Sequence, residues 1–422
     1  MFIIARMSAN PVPGPEKISF NNTEFAFAYK KDSELKKARL LFGVMGNRLL
    51  LKLGLALTPL AIRWKIPFTR TLIRNTLFSQ FVGGETLEET SVVAKKLGEY
   101  QVDVILDYGV EGGHSGESDF EQAAAEFIKV ISYAGGIPNI PFISIKVTGI
   151  ARFSLLEKID ALMGSPGQDL RKRYEQALQQ LDSDEQAEWG RVVARMRSIC
   201  AAAAEKKTGV LVDAEETWIQ DPVDALTMEM MERYNLHSAN VYNTIQLYRH
   251  DRLDFLKTCH GLAHEGSYLL AVKLVRGAYM EKERKRAETR NYASPIQPDI
   301  AHTHADYDEA VRFCLANAKK IAIILASHNE QSNMLAVELA SKQTLPAGHL
   351  HFSQLYGMSD HLTFNLARAG FSVSKYLPFG PIGDVVPYLM RRAQENSSVG
   401  GQTGRELSLI KKELDRRRQA RK

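Results

Sequence analysis

The sequence predicts an α/β protein built on a (βα)8 barrel, a distorted TIM barrel. A helical region precedes it, and a helical insert separates its second and third strands. Three observations predict this fold. Eight short apolar runs, rich in Val and Ile, recur between residues 102 and 376 with helical patterns between them. The runs are nearly continuous in hydrophobicity rather than alternating, as expected of strands covered on both faces in a parallel sheet. No GxGxxG follows the first run, which argues against an open dinucleotide-binding sheet. The glycine clusters EGGHSGE and GGQTGRE have the wrong spacing.

In chain order, residues 1–25 are rich in Pro, Asn and Ser and read as a loose arm. From Ser33 to about Tyr100 the spacing predicts helices, the last with Glu85, Glu88 and Glu89 at its start and Lys96 at its end. The eight predicted strands are Val102–Leu106, Phe142–Val147, Gly209–Asp213, Asn240–Gln246, Leu270–Val275, Ile321–Ala326, Leu350–Leu355 and Phe371–Tyr376. The connection Phe153–Lys207 is too long for an ordinary loop and carries helical patterns of its own, broken at SPGQ, Ser165–Gln168. Beyond Ser397 the chain turns glycine-rich and then basic, and a terminal helix is expected over LSLIKKELDRRRQ. The expected organisation is a helical region over 1–100, a barrel over 101–400 with an insert at 153–207, and a basic helix over 401–422.

Composition narrows the class. The 422 residues are 45% hydrophobic and 24% charged, enough to bury a large core. Cys200, Cys259 and Cys314 lie far apart with no CxxC, which argues against a disulfide framework or a zinc site and fits a reducing compartment. The net charge of +5 is uneven: residues 1–80 hold 13 Lys/Arg against 4 Asp/Glu, and residues 405–422 hold 8 against 3. Basic ends on an acidic middle suggest attraction to an anionic surface. No run of eighteen uncharged apolar residues exists; the nearest, Leu49–Ile62, is interrupted by Lys52 and Pro59 and flanked by Arg48, Arg63, Lys65, Arg70 and Arg74. Such a run can lie on a membrane surface or pack against its own core. The N-terminus resembles neither a secretory signal nor a transit peptide, and both Met1 and Met7 are possible starts. The basic stretches lack interleaved aromatics, so no nucleic-acid partner is expected.

Barrel enzymes carry their chemistry at the C-terminal ends of the strands. The polar residues there are Asp107 and Glu111, Lys146, Asp213, Gln246, then Lys273, Arg276 and Tyr279, then Ser327, His328 and Asn329, then Gln354 and Tyr356, and finally Tyr376. A lysine inside an apolar strand needs a partner, and a Lys146–Asp213 ion pair is predicted. After the last strand comes a helix on which Tyr388, Arg391, Arg392 and Glu395 can share one face. Two guanidinium forks beside Lys146 would suit a carboxylate. Lys273 and Arg276, with the following turn, suit a larger anion such as a cofactor diphosphate. His302-Thr-His304 and His349-Leu-His351 have metal-like spacing without an obvious third ligand, so no metal is expected.

Taken together, IKVTG, VDAEETW, VKLVRGAYM, LASHNE and YLPFGP…YLMRRAQEN, spread over residues 143–396, resemble the proline dehydrogenase family. The resemblance implies FAD held at the strand ends of a distorted barrel. It also implies oxidation of L-proline to pyrroline-5-carboxylate by hydride transfer to flavin N5. By the same resemblance, Lys146, Arg391 and Arg392 bind the substrate carboxylate, Asp213 orients Lys146, and Glu395 braces the arginines. Tyr376, Tyr388 and Leu355 shape the ring pocket. Ala214, Gln246, Lys273, Val275, Arg276, Gly277, Ala278, Ser327, His328 and Asn329 contact the flavin. Tyr279 closes over the site, and Glu111 pairs with Arg391 as a gate. Many bacterial members have arginine where this chain has Lys273, and lysine keeps the charge without the fork. Further implied are a membrane quinone as acceptor and pyrroline-5-carboxylate dehydrogenase downstream. So is a cytoplasmic site peripheral on the inner membrane, the matrix side in a mitochondrion. Two other readings stay open: a hydroxyproline dehydrogenase, and a Schiff-base lyase using Lys146 or Lys273.

Overall fold

The eight parallel strands close into a barrel in sequence order, β1 beside β2 through to β8 beside β1. The structure is a computed structural model. It describes residues 18–47, 64, 68–109, 116–164, 169–398 and 402–422, and of residues 394–398 and 402 the backbone alone. The elements run α1 (Asp32–Met45), α2 (Leu87–Gly98), β1 (Asp103–Tyr108), α3 (Glu117–Ala134), β2 (Phe142–Ile145). The insert follows as α4 (Phe153–Met163), α5 (Leu170–Gln179) and α6 (Ser183–Lys206). Then come β3 (Gly209–Val212), α7 (Gln220–Tyr234), β4 (Val241–Gln246), α8 (Arg252–Glu265), β5 (Leu270–Val275), α9 (Met280–Arg290) and α10 (Ile300–Ala316). The chain ends with β6 (Ile321–Ala326), α11 (Glu330–Ser341), β7 (Leu350–Leu355), α12 (Asp360–Arg368), β8 (Val373–Phe379), α13 (Ile382–Ser398) and α14 (Gln402–Gln419).

The predicted strands are all present; β5, β6 and β7 have the predicted bounds, and the other five are shifted at one or both ends. β8 starts two residues late because the Phe371 N–H closes the end of α12 onto the Leu366 carbonyl, after Gly370 turns at φ +88°. It then runs through Pro378, which has no N–H to donate; the Pro378 carbonyl instead accepts from Gly83 N–H at 2.8 Å. The terminal helix begins five residues before the predicted Leu407. The apolar run Leu49–Ile62 and the break at Ser165–Gln168 lie outside the described residues. Among the described residues, no helix is long and apolar enough to cross a membrane.

Two compact units divide the chain. Gly112–Phe352 forms the body of one, and Pro13–Glu111 with Ser353–Lys422 forms the other. In the first, the insert is docked rather than lid-like. Arg195 of α6, nearly fully buried, pairs with Glu121 of α3 at 2.7 Å and donates to the Ile150 carbonyl at 2.6 Å. Arg173 of α5 pairs with Asp221 of α7 at 2.8 Å. Trp189 Nε1 donates to the Tyr174 hydroxyl at 2.8 Å, so the two aromatics bury without an orphaned donor. α6 starts on a capping box in which Asp182 accepts from Asp184 and Glu185 N–H while Glu185 returns a bond to Asp182 N–H. In the second unit, α1, α13, α14 and the helical segment Thr69–Phe81 share one apolar core, built around Phe42, Phe81, Val385, Leu389 and Ile410.

Candidate active site

Register builds the first half of the site. Ile145 of β2 stands opposite Val212 of β3, so one step on puts Lys146 beside Asp213, whose N–H donates to the Ile145 carbonyl at 2.9 Å. Val212 faces Asn243, which places Asp213 in line with Thr244, and Thr244 pairs with Lys273 of β5. Side chains in line across a sheet share a face, so Lys146, Asp213 and Lys273 converge. Lys146 Nζ lies 3.9 Å from Asp213 Oδ2. Lys273 takes Asp213 Oδ1 in a direct ion pair, and Ser144 Oγ donates to the same oxygen at 2.7 Å. Burial alone would raise the Asp213 pKa, but Lys273 and then Lys146 outweigh it and hold the carboxylate below its usual range.

The predicted Lys146–Asp213 pair is therefore present, and Lys273, expected alongside Arg276, also pairs with Asp213. Arg276 stands three positions on, just past the end of β5, and makes its own set of contacts.

Two residues past Asp213, the buried Glu215 accepts from Thr148 Oγ1 at 2.9 Å, tying the turn after β2 to the end of β3. Its backbone is clasped as well: Gln220 Oε1 accepts from the Glu215 N–H at 2.9 Å, and Gln246 Nε2 donates to its carbonyl at 3.1 Å. Burial, helped by Glu216, pushes the Glu215 pKa up to about 7 against the opposing pull of Lys146 and Thr148. Sequence reasoning passed over Glu215 and Ser144, although each stands two positions along the chain from a singled-out residue.

A second cluster forms at the ends of β5 and β6. Arg276 donates to Ser327 Oγ at 2.7 Å, to Ser332 Oγ at 2.9 Å and to His304 Nδ1 at 2.9 Å, and its plane lies 4.2 Å from the Tyr307 ring centre. Among the described residues these bonds use three of its five N–H groups, leaving two for an anion. Gly277 follows at φ +135°, where a Cβ would fall 2.4 Å from the Tyr248 ring. Ala278 is exposed beside it, and Tyr279 caps α9. Gln246 Oε1 is buried with no hydrogen-bond partner among the described residues. An orphaned buried acceptor near spare guanidinium donors fits a ligand carrying both N–H groups and phosphate, as FAD does. Asn329 is partly committed elsewhere, since its Oδ1 caps α11 at Ser332 N–H. Val275 ends β5, Ala214 follows Asp213, and His328 lies between Ser327 and Asn329. His304, Ser332 and Tyr307 were not foreseen in this role.

In the other unit, Tyr376 is the one half-exposed residue of an otherwise buried β8, and its carbonyl accepts from Tyr356 N–H at 2.9 Å. On α13, Arg392 is largely buried with its guanidinium 5.2 Å from the Tyr388 ring centre, a cation–π pair one helical turn apart. Arg391 beside it is half-buried. Leu355 packs on the apolar core that holds α13. Lys375, fully buried next to Tyr376, pairs with Asp360 at 2.9 Å and donates to the Met358 carbonyl. Asp360 also takes Lys30 at 3.0 Å and the Tyr29 hydroxyl at 2.8 Å. Burial opposes the Asp360 charge, yet Lys30 and Lys375 hold its pKa far below the carboxylate range. Glu111 and the side chain of Glu395 lie outside the described residues.

Residues 91–405 match the family model described as proline dehydrogenase. The chain belongs to the proline dehydrogenase family. It is an oxidoreductase of that family, and curated relatives agree. It is 32% identical to proline dehydrogenase 1, mitochondrial, of Arabidopsis thaliana, over 82% of this chain and 75% of the relative. It is 35% identical to the carbapenem antibiotics biosynthesis protein CarD of Pectobacterium carotovorum subsp. carotovorum, over 80% of this chain and 84% of the relative. A hydroxyproline dehydrogenase of Xenopus laevis is 32% identical over 82% of this chain and 78% of that one. Among solved structures, proline utilization A from Bdellovibrio bacteriovorus superposes with a TM-score of 0.69 at 18% identity and shares the fold. That match covers 97% of this chain but 42% of the solved one, so the proline dehydrogenase family member spans less than half of that larger protein.

Proposed function

We propose that the protein oxidises L-proline to pyrroline-5-carboxylate with FAD as its cofactor and a membrane quinone as final acceptor. The observation that carries this reading is the Lys146–Asp213–Lys273 cluster at the strand ends, inside the segment that matches the family. Lys146, Arg391 and Arg392 bind the substrate carboxylate. Asp213 fixes Lys146 by charge, and Ser144 fixes Asp213. Tyr376, Tyr388 and Leu355 present the surface for the pyrrolidine ring, and Tyr376 favours plain proline over its hydroxylated analogue. Glu395 braces the arginines, and Glu111 gates Arg391.

Arg276, Gly277, Ala278, Val275, Tyr279, Ser327, His328, Asn329, Ala214, Gln246 and Lys273 would hold FAD, with Arg276 on its phosphates and Gln246 Oε1 taking a ring N–H. When bound, FAD would supply the hydride acceptor for the ring carbon beside nitrogen. The protein's part is to hold that carbon and to keep the amine neutral, because an ammonium cannot push electrons into the forming C=N bond. The basic N-terminal region supports peripheral attachment to a membrane that contains the quinone, and a pyrroline-5-carboxylate dehydrogenase would consume the product.

The decisive experiment is anaerobic mixing of the purified protein with L-proline. A yellow protein that bleaches on mixing supports the proposal, and a yellow protein that stays oxidised overturns it. The frog relative gives weight to a second reading, and relative turnover of proline and hydroxyproline separates the two. A colourless protein that forms a borohydride-trapped adduct with a keto acid would point to Schiff-base chemistry.

A further inference from the structure

Geometry dictates the protonation state of the histidine behind Arg276. Arg276 Nε–H points at His304 Nδ1, 2.9 Å away. A guanidinium has donors and no acceptor, so Nδ1 carries a lone pair and the ring proton sits on Nε2. His304 stands on α10, and the same helix supplies Tyr307, whose ring lies against the face of the guanidinium. α11 supplies Ser332, which donates to Asp308 at 2.5 Å while accepting from Arg276. Every bond in this cluster fixes the plane and azimuth of one guanidinium, and its two remaining N–H groups are thereby aimed.

We propose that His304 is a positioning residue that holds the Arg276 guanidinium in place for an anionic, diphosphate-bearing cofactor and lets go when its ring takes up a proton. The inference rests on the FAD reading above. In imidazolium form Nδ1 becomes a donor facing a donor, and two cations stand side by side. The charged groups facing His304 are Arg276, just past the end of β5, and Asp308 further along α10; His302, its neighbour on the helix, is turned to Asp299 at 2.8 Å. Burial and then Arg276 keep the ring below its ordinary pKa, with Asp308 opposing. At neutral pH the ring therefore accepts.

The test measures FAD release from the holoenzyme by recovery of free-flavin fluorescence on dilution, between pH 8 and pH 5, with thermal melts alongside. His304→Leu removes the acceptor and should weaken FAD binding about tenfold at pH 8, the worth of one hydrogen bond to a charged group. His304→Asn places an amide oxygen near the Nδ1 position and should restore most of that affinity. The wild type should loosen its FAD toward the acid end of that range, where a ring held below its ordinary pKa at last takes up a proton, and His304→Asn should not. Should His304→Leu fail to fold, the wild-type and His304→Asn pH profiles decide alone. A flavin-containing wild type whose pH profile is matched by His304→Asn, or matched affinity in a folded His304→Leu, overturns this role and leaves the cofactor reading intact. A wild type that binds no FAD overturns both.

Discussion

Asp213 shows how one side chain can be shared. It stands between two lysines, and removing one leaves the carboxylate still paired through the other, so the three charges tolerate loss of a cation better than loss of the anion. Its neighbour Glu215 has the opposite bias. A carboxyl whose folded pKa is raised to about 7 binds protons more readily folded than unfolded. Its contribution to stability is therefore fully present below the unfolded pKa of about 4.3 and is lost as the pH rises through 7. Glu215→Gln should raise Tm at pH 8 by several degrees and leave it nearly unchanged at pH 5, as read by paired thermal melts. On α13, Arg391→Met and Arg392→Met should each raise KM for proline by at least tenfold while the flavin spectrum stays as in the wild type. A normal KM in both variants would overturn their part in substrate binding. At this scale the sequence was half-legible. Lys146 and Asp213 stand out as charges closing apolar runs, but Lys273 joins them only through the register of β3, β4 and β5, which no spacing along one strand reveals. His304 was visible only as half of a metal-like HxH, because its partner lies twenty-eight residues upstream on another element.

Among the elements, β8 is the one whose sequence concealed most. The run FSVSKY announces a strand, and nothing in it says that Lys375 will be fully buried or that its counter-charge, Asp360 at the start of α12, is shared with Lys30 near the beginning of the chain. The Asp360 carboxylate binds Lys375, Lys30 and Tyr29 together, so it sets where β8 and α12 stop relative to one another inside their unit. Asp360→Asn would remove the carboxylate that the buried Lys375 shares with Lys30. It should cost about 3–5 kcal/mol in chemical denaturation, with the loss shrinking toward acidic pH. The sign follows from the depressed pKa: the carboxylate contributes above the unfolded value and ceases to as the pH falls through the folded one. The insert α4–α6, by contrast, announced its helices plainly through capping residues and periodicity. Its docking on α3 and α7 depends on individual arginines, Arg195 and Arg173, which look on paper like any other charges on a helix surface.

At the scale of the whole molecule, eight Val- and Ile-rich runs were enough for the barrel, because burial on both faces leaves little freedom in composition. The compact units were not legible, since one of them joins the beginning of the chain to its end. α14 is clamped to the N-terminal segment by Arg417, which donates to the Phe27 and Lys30 carbonyls at 2.8 and 2.9 Å and pairs with Asp32 at 2.9 Å. Glu413, buried, receives both Arg416 and Arg417. Deleting residues 402–422 should therefore produce insoluble protein on expression, and recovery of a soluble, flavin-loaded truncation would refute the clamp's importance. The clamp also bears on synthesis. Domains generally fold as units as they leave the ribosome, the N-terminal one first, but here residues 18–47 must wait with Phe27, Leu35 and Phe42 uncovered until the final helix emerges. The protein is thus expected to lean on chaperones during translation. A fusion that delays release of its C-terminus should lower its yield more than the same fusion placed at the N-terminus.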